Sequence, residues 1–230
     1  MTAIVTPTAY GVTVAVALVM GTVLVVGARR RPGAWPVWVA RILGAVLLAD
    51  AVSFVVALVV AGTFSPKTSL PLALCDMAAL VAAAACWTRR AVLVEITYFW
   101  GLAGTLQAVI TPDLNSGFPH LVFFQYMVGH IGIVLAAVFL VVGLRITPRP
   151  GAVLRIFAIT LGYTAFVGLV DGLTGANYMF LRSPPGEWTL LSVLGPGPWY
   201  IGSAAGVALV LLLVLDAPFW RRRRGADVAA

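Results

Sequence analysis

Seven stretches of this chain stay apolar for about 18 residues or more, and that length constrains the fold more than any other feature. A helix of this length crosses the roughly 30 Å of hydrocarbon in a bilayer. Of the 230 residues, 61% are hydrophobic and 10% charged, which leaves too little polar surface for a water-soluble domain. We therefore predict an all-α membrane protein, a bundle of seven transmembrane helices. The predicted spans are 8–28, 37–63, 70–87, 91–110, 121–144, 153–174 and 199–215.

Arginine residues are concentrated in alternate loops between these spans. The first, third and fifth loops and the tail are basic, whereas the remaining loops carry only Lys67 and Arg182. By the positive-inside rule, this alternation predicts an N-terminus outside and a C-terminus in the cytoplasm. The net charge of +7 therefore indicates topology and contact with anionic headgroups rather than nucleic-acid binding. The arginines are Arg29, Arg30, Arg31, Arg41, Arg89, Arg90, Arg145, Arg149, Arg155 and Arg221 to Arg224.

The domain organisation follows from the same pattern. We predict one seven-helix transmembrane domain over residues 1–220 and a short basic cytoplasmic tail over 221–230. The first apolar run lacks a basic segment before it and is too long for a signal peptide, so we expect a retained helix. Tryptophans are expected at both membrane interfaces. Trp35, Trp38, Trp87 and Trp220 belong to the predicted cytoplasmic belt, and Trp188 and Trp199 to the outer one.

Ionisable and polar side chains recur inside the apolar spans. A charge at membrane depth costs at least a few kcal/mol, so each such residue needs a structural or functional reason. Cys75 and Asp76 are predicted near the outer end of the third helix, with Cys75 about five residues inside it. His130 is expected about nine residues into the fifth helix, and Asp171 near the outer end of the sixth. Gln107, Gln125, Asn177 and Tyr178 are expected toward the same end, His120 at the interface, and Asp50 near mid-membrane.

A thiol becomes a nucleophile when a neighbouring base takes its proton, so Cys75 and His130 are a candidate catalytic pair. The structural alternatives are a small buried cysteine and a histidine that hydrogen-bonds another helix. Asp76 or Asp171 would orient the imidazole, bind a cation or link helices. Gln107, Gln125 or Asn177 would donate to an oxyanion. Cys86 has no polar neighbours and is interpreted as a packing residue.

Several standard sites are absent from the sequence. It contains no Gly-x-Ser-x-Gly elbow, His-Glu-x-x-His, Cys-x-x-Cys or phosphate-binding Walker motif. Retinal proteins need a lysine in the last helix, whereas the only lysine here is Lys67, in a loop. We expect no cofactor. A metal site formed by Cys75, His130 and Asp171 is an alternative.

A set of motifs covers most of residues 70–200. Together these motifs resemble the YwaF-like family of bacterial integral membrane proteins. That family is similar to a vertebrate multi-pass acyltransferase that remodels ether phospholipids, and more remotely to membrane hydrolases of fatty-acid esters of hydroxy fatty acids. The resemblance implies Cys75 as nucleophile, His130 as base and a bacterial plasma-membrane location. The motifs are Leu70–Asp76, Tyr98–Ala108, Thr111–Asp113, Phe118–His120, Phe123–His130, Asn177–Arg182 and Leu194–Pro196.

The function that we predict is a membrane lipid acyltransferase or lipid ester hydrolase whose Cys-His pair opens to the outer leaflet. Its expected partners are membrane phospholipids or fatty acyl chains, and the sequence does not indicate a protein partner. One alternative is a small proton- or cation-coupled transporter or channel that uses Asp50, Asp76 and Asp171. Another is a non-catalytic membrane scaffold.

Overall fold

The computed structural model describes residues 7–112, 117–184, 193–195, 197 and 199–228, and every regular element in these ranges is helical. Six of the helices are long and apolar enough to cross a membrane. The predicted all-α, multi-pass architecture is therefore confirmed. A further apolar helix has only 15 residues. The helices are α1 (Pro7–Arg30), α2 (Trp35–Val60), α3 (Leu74–Thr88), α4 (Ala91–Trp100), α5 (Leu106–Ile110), α6 (Leu121–Val138), α7 (Ala152–Thr174) and α8 (Trp199–Val228).

Two helices contain π-helical turns. The turn Gly101–Thr105 joins α4 to α5, so that Ala91–Ile110 forms one continuous 20-residue helix. A second turn, Phe139–Gly143, extends α6. Each π turn inserts an extra residue into the helical ladder and changes which side chains face the neighbouring helix.

The helix α3 begins later than the apolar run that predicted it. The predicted span starts at residue 70, whereas the helix starts at Leu74, so Cys75 lies in its first turn rather than about five residues inside. Side chains hold the preceding backbone instead. The Leu70 N–H donates to the Tyr178 hydroxyl at 2.8 Å, and the Leu72 carbonyl accepts from the Tyr163 hydroxyl at 2.8 Å. Pro71 lacks an N–H, which also favours a non-helical start.

The last helix extends beyond its predicted end. The apolar run ends near residue 215, but α8 continues through Val228. Arginine has a high intrinsic helix propensity, so the four arginines from residue 221 can continue a helix after the apolar segment ends. Trp199 is the first residue of this helix. Trp188, predicted with it at the outer interface, lies outside the described residues.

The chain divides into two compact units, Met1–Val56 with Cys75–Pro148, and Ala57–Leu74 with Arg149–Ala230. In the first unit, glycines bring helices into close contact. A Cβ added at Gly44 of α2 would lie 2.9 Å from the Cβ of Cys86 in α3. A Cβ at Gly132 of α6 would lie 2.8 Å from the Leu47 side chain. Because lipid removes the hydrophobic driving force between helices, such close packing holds membrane bundles together.

The centre of the first unit is α4. Its residues Val94 to Trp100 are all buried, so the helix has neighbours on every face. It packs against α6, and α1 also packs against α6 and the π turn that follows it. Short loops connect α1 to α2 and α3 to α4. We term the end of the first unit that holds these two loops the basic end. Its arginines are Arg29, Arg30, Arg31, Arg41, Arg89 and Arg90.

The second unit is organised around Tyr178. Its ring packs with Val167 and Ala176 in an apolar cluster. The Tyr178 hydroxyl donates to the Pro66 carbonyl at 2.9 Å and accepts the Leu70 N–H, which holds the segment before α3 against this cluster. In the same unit α7 packs against α8.

We predict that Gly44→Ala destabilises the protein by about 1–3 kcal/mol, since the new methyl group overpacks the contact with α3. The backbone carbonyl of Ala83, 3.0 Å from that methyl position, cannot move aside as a flexible side chain would. Thermal unfolding in detergent, followed by circular dichroism, measures the change. Gly11→Ala is the matched control, because a Cβ there meets nothing within 4 Å. Equal melting temperatures for the two variants would contradict the prediction.

Candidate functional site

The Cys75 thiol lies in the first turn of α3, where it is partly buried. Its polar neighbour is the hydroxyl of Thr105, the last residue of the π turn Gly101–Thr105. Thr105 is 0% exposed, and its Oγ1 makes no hydrogen bond of standard geometry in the described structure. The thiol therefore faces a buried hydroxyl that retains its capacity to donate or accept.

The His130 imidazole is fixed by the preceding helical turn. Its Nδ1 lies 2.8 Å from the Tyr126 carbonyl oxygen, and its ring stacks on the Tyr126 ring at 4.0 Å between centroids. A carbonyl can only accept, so Nδ1 carries the proton in this arrangement. The neutral imidazole then presents Nε2 as the unprotonated nitrogen, the form that a general base requires.

Tyr126 is itself anchored. Its hydroxyl donates to the Ala108 carbonyl of α5 at 3.0 Å, which connects the ring that supports His130 to the neighbouring helix. Two contacts, one from the backbone and one from the ring, thus restrict the orientation of the imidazole. Contacts of this kind limit a side chain to one orientation.

Asp50 lies against the same region of α6. Its Oδ2 is 3.0 Å from the position of a Cβ at Gly129, the residue before His130. Gln125 of α6 is the hydrogen-bonding neighbour of this carboxylate. The missing side chain at Gly129 therefore allows an acidic group of α2 to approach the backbone of α6.

Contacts between the helices place these groups at a similar depth. Gly101, the first residue of the π turn after α4, lies against Ile133 of α6. The helices run in opposite directions, so Thr105, one turn beyond Gly101, is level with the residues one turn before Ile133, which include His130. We term Asp50, Cys75, Thr105, Gln125 and His130 the polar layer. Within it, the Cys75 thiol and the His130 imidazole are not hydrogen-bonded to each other.

The other predicted residues of the first unit have different surroundings. Asp76, next to Cys75, is partly buried. Gln107 and His120 are both exposed. Cys86 is 0% exposed and packs against Gly44, in agreement with its interpretation as a packing residue. Among the described residues, no three His, Cys, Asp or Glu side chains are grouped closely enough to hold a metal ion.

Asp171, Asn177 and Tyr178 belong to the second unit, where the described contacts give them structural partners. Asp171 is 0% exposed, and its Oδ1 accepts the Tyr178 N–H at 3.0 Å. Its Oδ2 is buried without a hydrogen bond from any residue that the structure describes. The Asn177 side chain donates to Ser183 and accepts the Arg182 N–H at 2.9 Å. These three residues together shape the segment that follows α7.

Sequence reasoning missed two residues of this region, Thr105 and Tyr126. Tyr126 precedes His130 by four residues, so helical periodicity alone would place the two side chains on one face. For Thr105 the sequence carries no equivalent signal. Its inward position depends on the π turn, and a run of Gly, Leu, Ala, Gly and Thr does not distinguish a π turn from an α-helix.

We predict that Asp171→Ala destabilises the protein by about 1–3 kcal/mol, because the buried Tyr178 N–H loses its acceptor. Asp171→Asn keeps an acceptor oxygen at that position and should retain the loop. Amide hydrogen exchange at residues 176–183 measures the difference. If both variants leave exchange in this segment unchanged, the carboxylate does not hold the loop.

No protein of curated function and no solved structure matches the chain. The model of the TMEM164 family, by contrast, matches residues 3–216. The match begins before α1, ends within α8, and includes every residue of the polar layer. The chain therefore belongs to the TMEM164 family of multi-pass membrane proteins.

Proposed function

We propose that the chain is a membrane lipid acyltransferase or lipid ester hydrolase, with Cys75 as nucleophile and His130 as base. The observation that carries the proposal is the polar layer. In this layer the Cys75 thiol faces the buried Thr105 hydroxyl and lies at a depth similar to that of the His130 imidazole. The tautomer of His130 leaves Nε2 free to accept a proton. Polar groups in apolar helices are costly, and their convergence favours a chemical role over chance.

In the first step the Cys75 Sγ attacks the ester carbonyl of a lipid. His130 Nε2 takes the thiol proton, and the carbonyl π electrons move onto oxygen to form a tetrahedral oxyanion. Collapse of this species breaks the ester C–O bond. The leaving alkoxide receives the proton from His130 and departs as the lyso-lipid alcohol, which leaves an acyl thioester on Cys75.

In the second step an acceptor hydroxyl attacks the thioester carbonyl while His130 removes its proton. The C–S bond then breaks, and the thiolate recovers the proton from His130 to restore the starting state. A lipid alcohol as acceptor gives acyl transfer, whereas water gives hydrolysis. The same two residues therefore serve both reactions, and access of water to the acyl-enzyme decides between them.

Two further residues support this chemistry. The Thr105 hydroxyl has no acceptor in the described structure, so it is available to donate to the oxyanion. Tyr126 acts as a positioning residue, because its carbonyl fixes the imidazole tautomer and its ring fixes the plane. In this proposal Gln125 is a second candidate donor, while Asp76 acts on the charge balance near the thiol.

The proposal includes a topology of seven spans with the N-terminus outside. The 15 residues of α3 extend about 22 Å, and the segment from residue 70 adds to that length. By the positive-inside rule, the arginine distribution supports a position of the polar layer in the outer half of the membrane. A lipid from the outer leaflet of a bacterial plasma membrane would enter from that side. Resemblance to enzymes that remodel ether phospholipids favours a phospholipid as acyl donor.

We predict that wild-type protein incubated with phospholipid vesicles gains an acyl-sized mass that Cys75→Ala does not gain. The thioester intermediate is covalent, so intact-mass spectrometry detects it directly. Cys86→Ala is the matched control, since it removes the other thiol of the chain, which is buried in a helix contact. His130→Gln should slow formation of the adduct on Cys75 without removing the site of attachment.

Other results of this experiment would count against the proposal. An adduct that persists in Cys75→Ala would exclude Cys75 as the nucleophile. Absence of an adduct, together with no lyso- or remodelled lipid in the extract, would favour proton- or cation-coupled transport through Asp50. That alternative predicts a loss of ion flux in Asp50→Asn.

We predict that Thr105→Val lowers the rate of acyl transfer on the order of 10²-fold, as expected when an oxyanion donor is removed. Its melting temperature should stay the same or rise, because valine has a similar shape and no unsatisfied hydroxyl. Thr97→Val is the control. Thr97 is also 0% exposed in α4, but its hydroxyl donates to the Leu93 carbonyl within the helix. An equal loss of rate in both variants would argue against a specific role for Thr105.

A further inference from the structure

A groove opens at the basic end of the first unit, away from the polar layer. It has a volume of about 460 Å³ and lies on the surface of α2 and α3. Four of its residues recur at helical spacing along α2, so they share one face of that helix. The lining consists of Trp38, Arg41, Ile42, Ala45 and Trp87.

The walls of the groove are held together by specific contacts. The Arg41 guanidinium lies over the Trp38 ring, 5.0 Å from its centroid. The Trp87 indole N–H donates to the Arg41 carbonyl at 2.9 Å, which connects α3 to α2 at this point. Both indole rings are exposed, Trp38 by 58% and Trp87 by 47%. Arg41 thus contacts one exposed indole through its guanidinium and the other through its backbone carbonyl.

This region is positively charged, whereas a phosphate is negatively charged. Arg41 is exposed, and its guanidinium lies over an indole ring. Arg89 and Arg90 follow Trp87 closely in the chain. Glu95, the acidic residue of α4 near this end, is only 1% exposed. The planar guanidinium matches phosphate oxygens, and its N–H groups form charge-assisted hydrogen bonds with them.

The groove changes from polar to apolar along α2. Ile42 and Ala45 lie one turn further from the basic end than Trp38 and Arg41. Tryptophans favour the interface between headgroups and acyl chains, and arginines near helix ends extend toward the headgroups. An anionic phospholipid also changes from charged to apolar along its length, from its headgroup to its acyl chain. Its polarity therefore matches that of the groove.

We propose that the groove binds one anionic phospholipid, with its phosphate on Arg41, its glycerol region between Trp38 and Trp87, and an acyl chain along Ile42 and Ala45. This binding does not depend on the proposed catalytic function, because the groove and the polar layer lie toward opposite ends of the first unit. The occupant is a lipid of the surrounding bilayer rather than the ester that Cys75 would attack.

The test is native mass spectrometry of the full-length protein in detergent, titrated with phosphatidylglycerol or phosphatidylcholine. Arg41→Ala should weaken binding of the first phosphatidylglycerol about fivefold, the value typical of one basic residue at an anionic membrane surface. Arg30→Ala is the matched control, an exposed arginine at the same end that does not line the groove. Phosphatidylcholine binding should be the same in all three proteins.

Tryptophan fluorescence gives a second readout in membranes. Vesicles containing brominated phosphatidylglycerol should quench the wild type more than vesicles containing brominated phosphatidylcholine. The difference should disappear in a variant with both Trp38→Phe and Trp87→Phe. Equal weakening by Arg41→Ala and Arg30→Ala would show diffuse attraction and overturn the proposal. Equal quenching by the two brominated lipids would overturn it as well.

Discussion

The close approach of α2 to α3 and α6 is the constraint on which the first unit depends. Glycines at positions 44, 129 and 132 leave no room for even one added carbon atom without displacing a neighbour. In water, burial of apolar side chains would drive such contacts, but in a bilayer the lipid tails are equally apolar. Close van der Waals packing must supply the stabilisation instead. The same contacts set the relative depth of the helices, and so bring side chains distant in sequence into one layer.

The polar layer lies within this close packing, although its polar side chains are unfavourable in lipid. Asp50 lies where Gly129 has no side chain, and the His130 imidazole satisfies Nδ1 within its own helix by bonding to the Tyr126 carbonyl. Thr105 is the exception, since its hydroxyl is buried with no standard hydrogen bond in the described structure. Buried polar groups are normally satisfied, so an unsatisfied hydroxyl beside a thiol supports the proposal that a substrate binds here.

The first unit separates two kinds of chemistry along its length. One end is basic and aromatic, with Arg41 in contact with both Trp38 and Trp87. The groups toward the other end are a thiol, a carboxylate, an amide and an imidazole. The first set suits the charged surface of a membrane, and the second is the set that the proposed acyl transfer would use. A lipid bound at the basic end would fix the position of α2 and α3 in the bilayer, and with it the depth of Cys75.

The sequence by itself determined that the chain is helical and crosses the membrane several times, because run length and hydropathy act locally along the chain. It also indicated Cys75, His130 and Asp50 as residues that need an explanation, since charge and polarity in apolar runs are visible without coordinates. Only the tertiary structure decided their neighbours. The late start of α3 depends on Tyr178 and Tyr163, residues about a hundred positions away. The partner of the Cys75 thiol depends on a π turn, and the proton on His130 Nδ1 depends on a carbonyl one turn earlier. These are matters of helix register and contact between distant segments, which local sequence patterns do not encode.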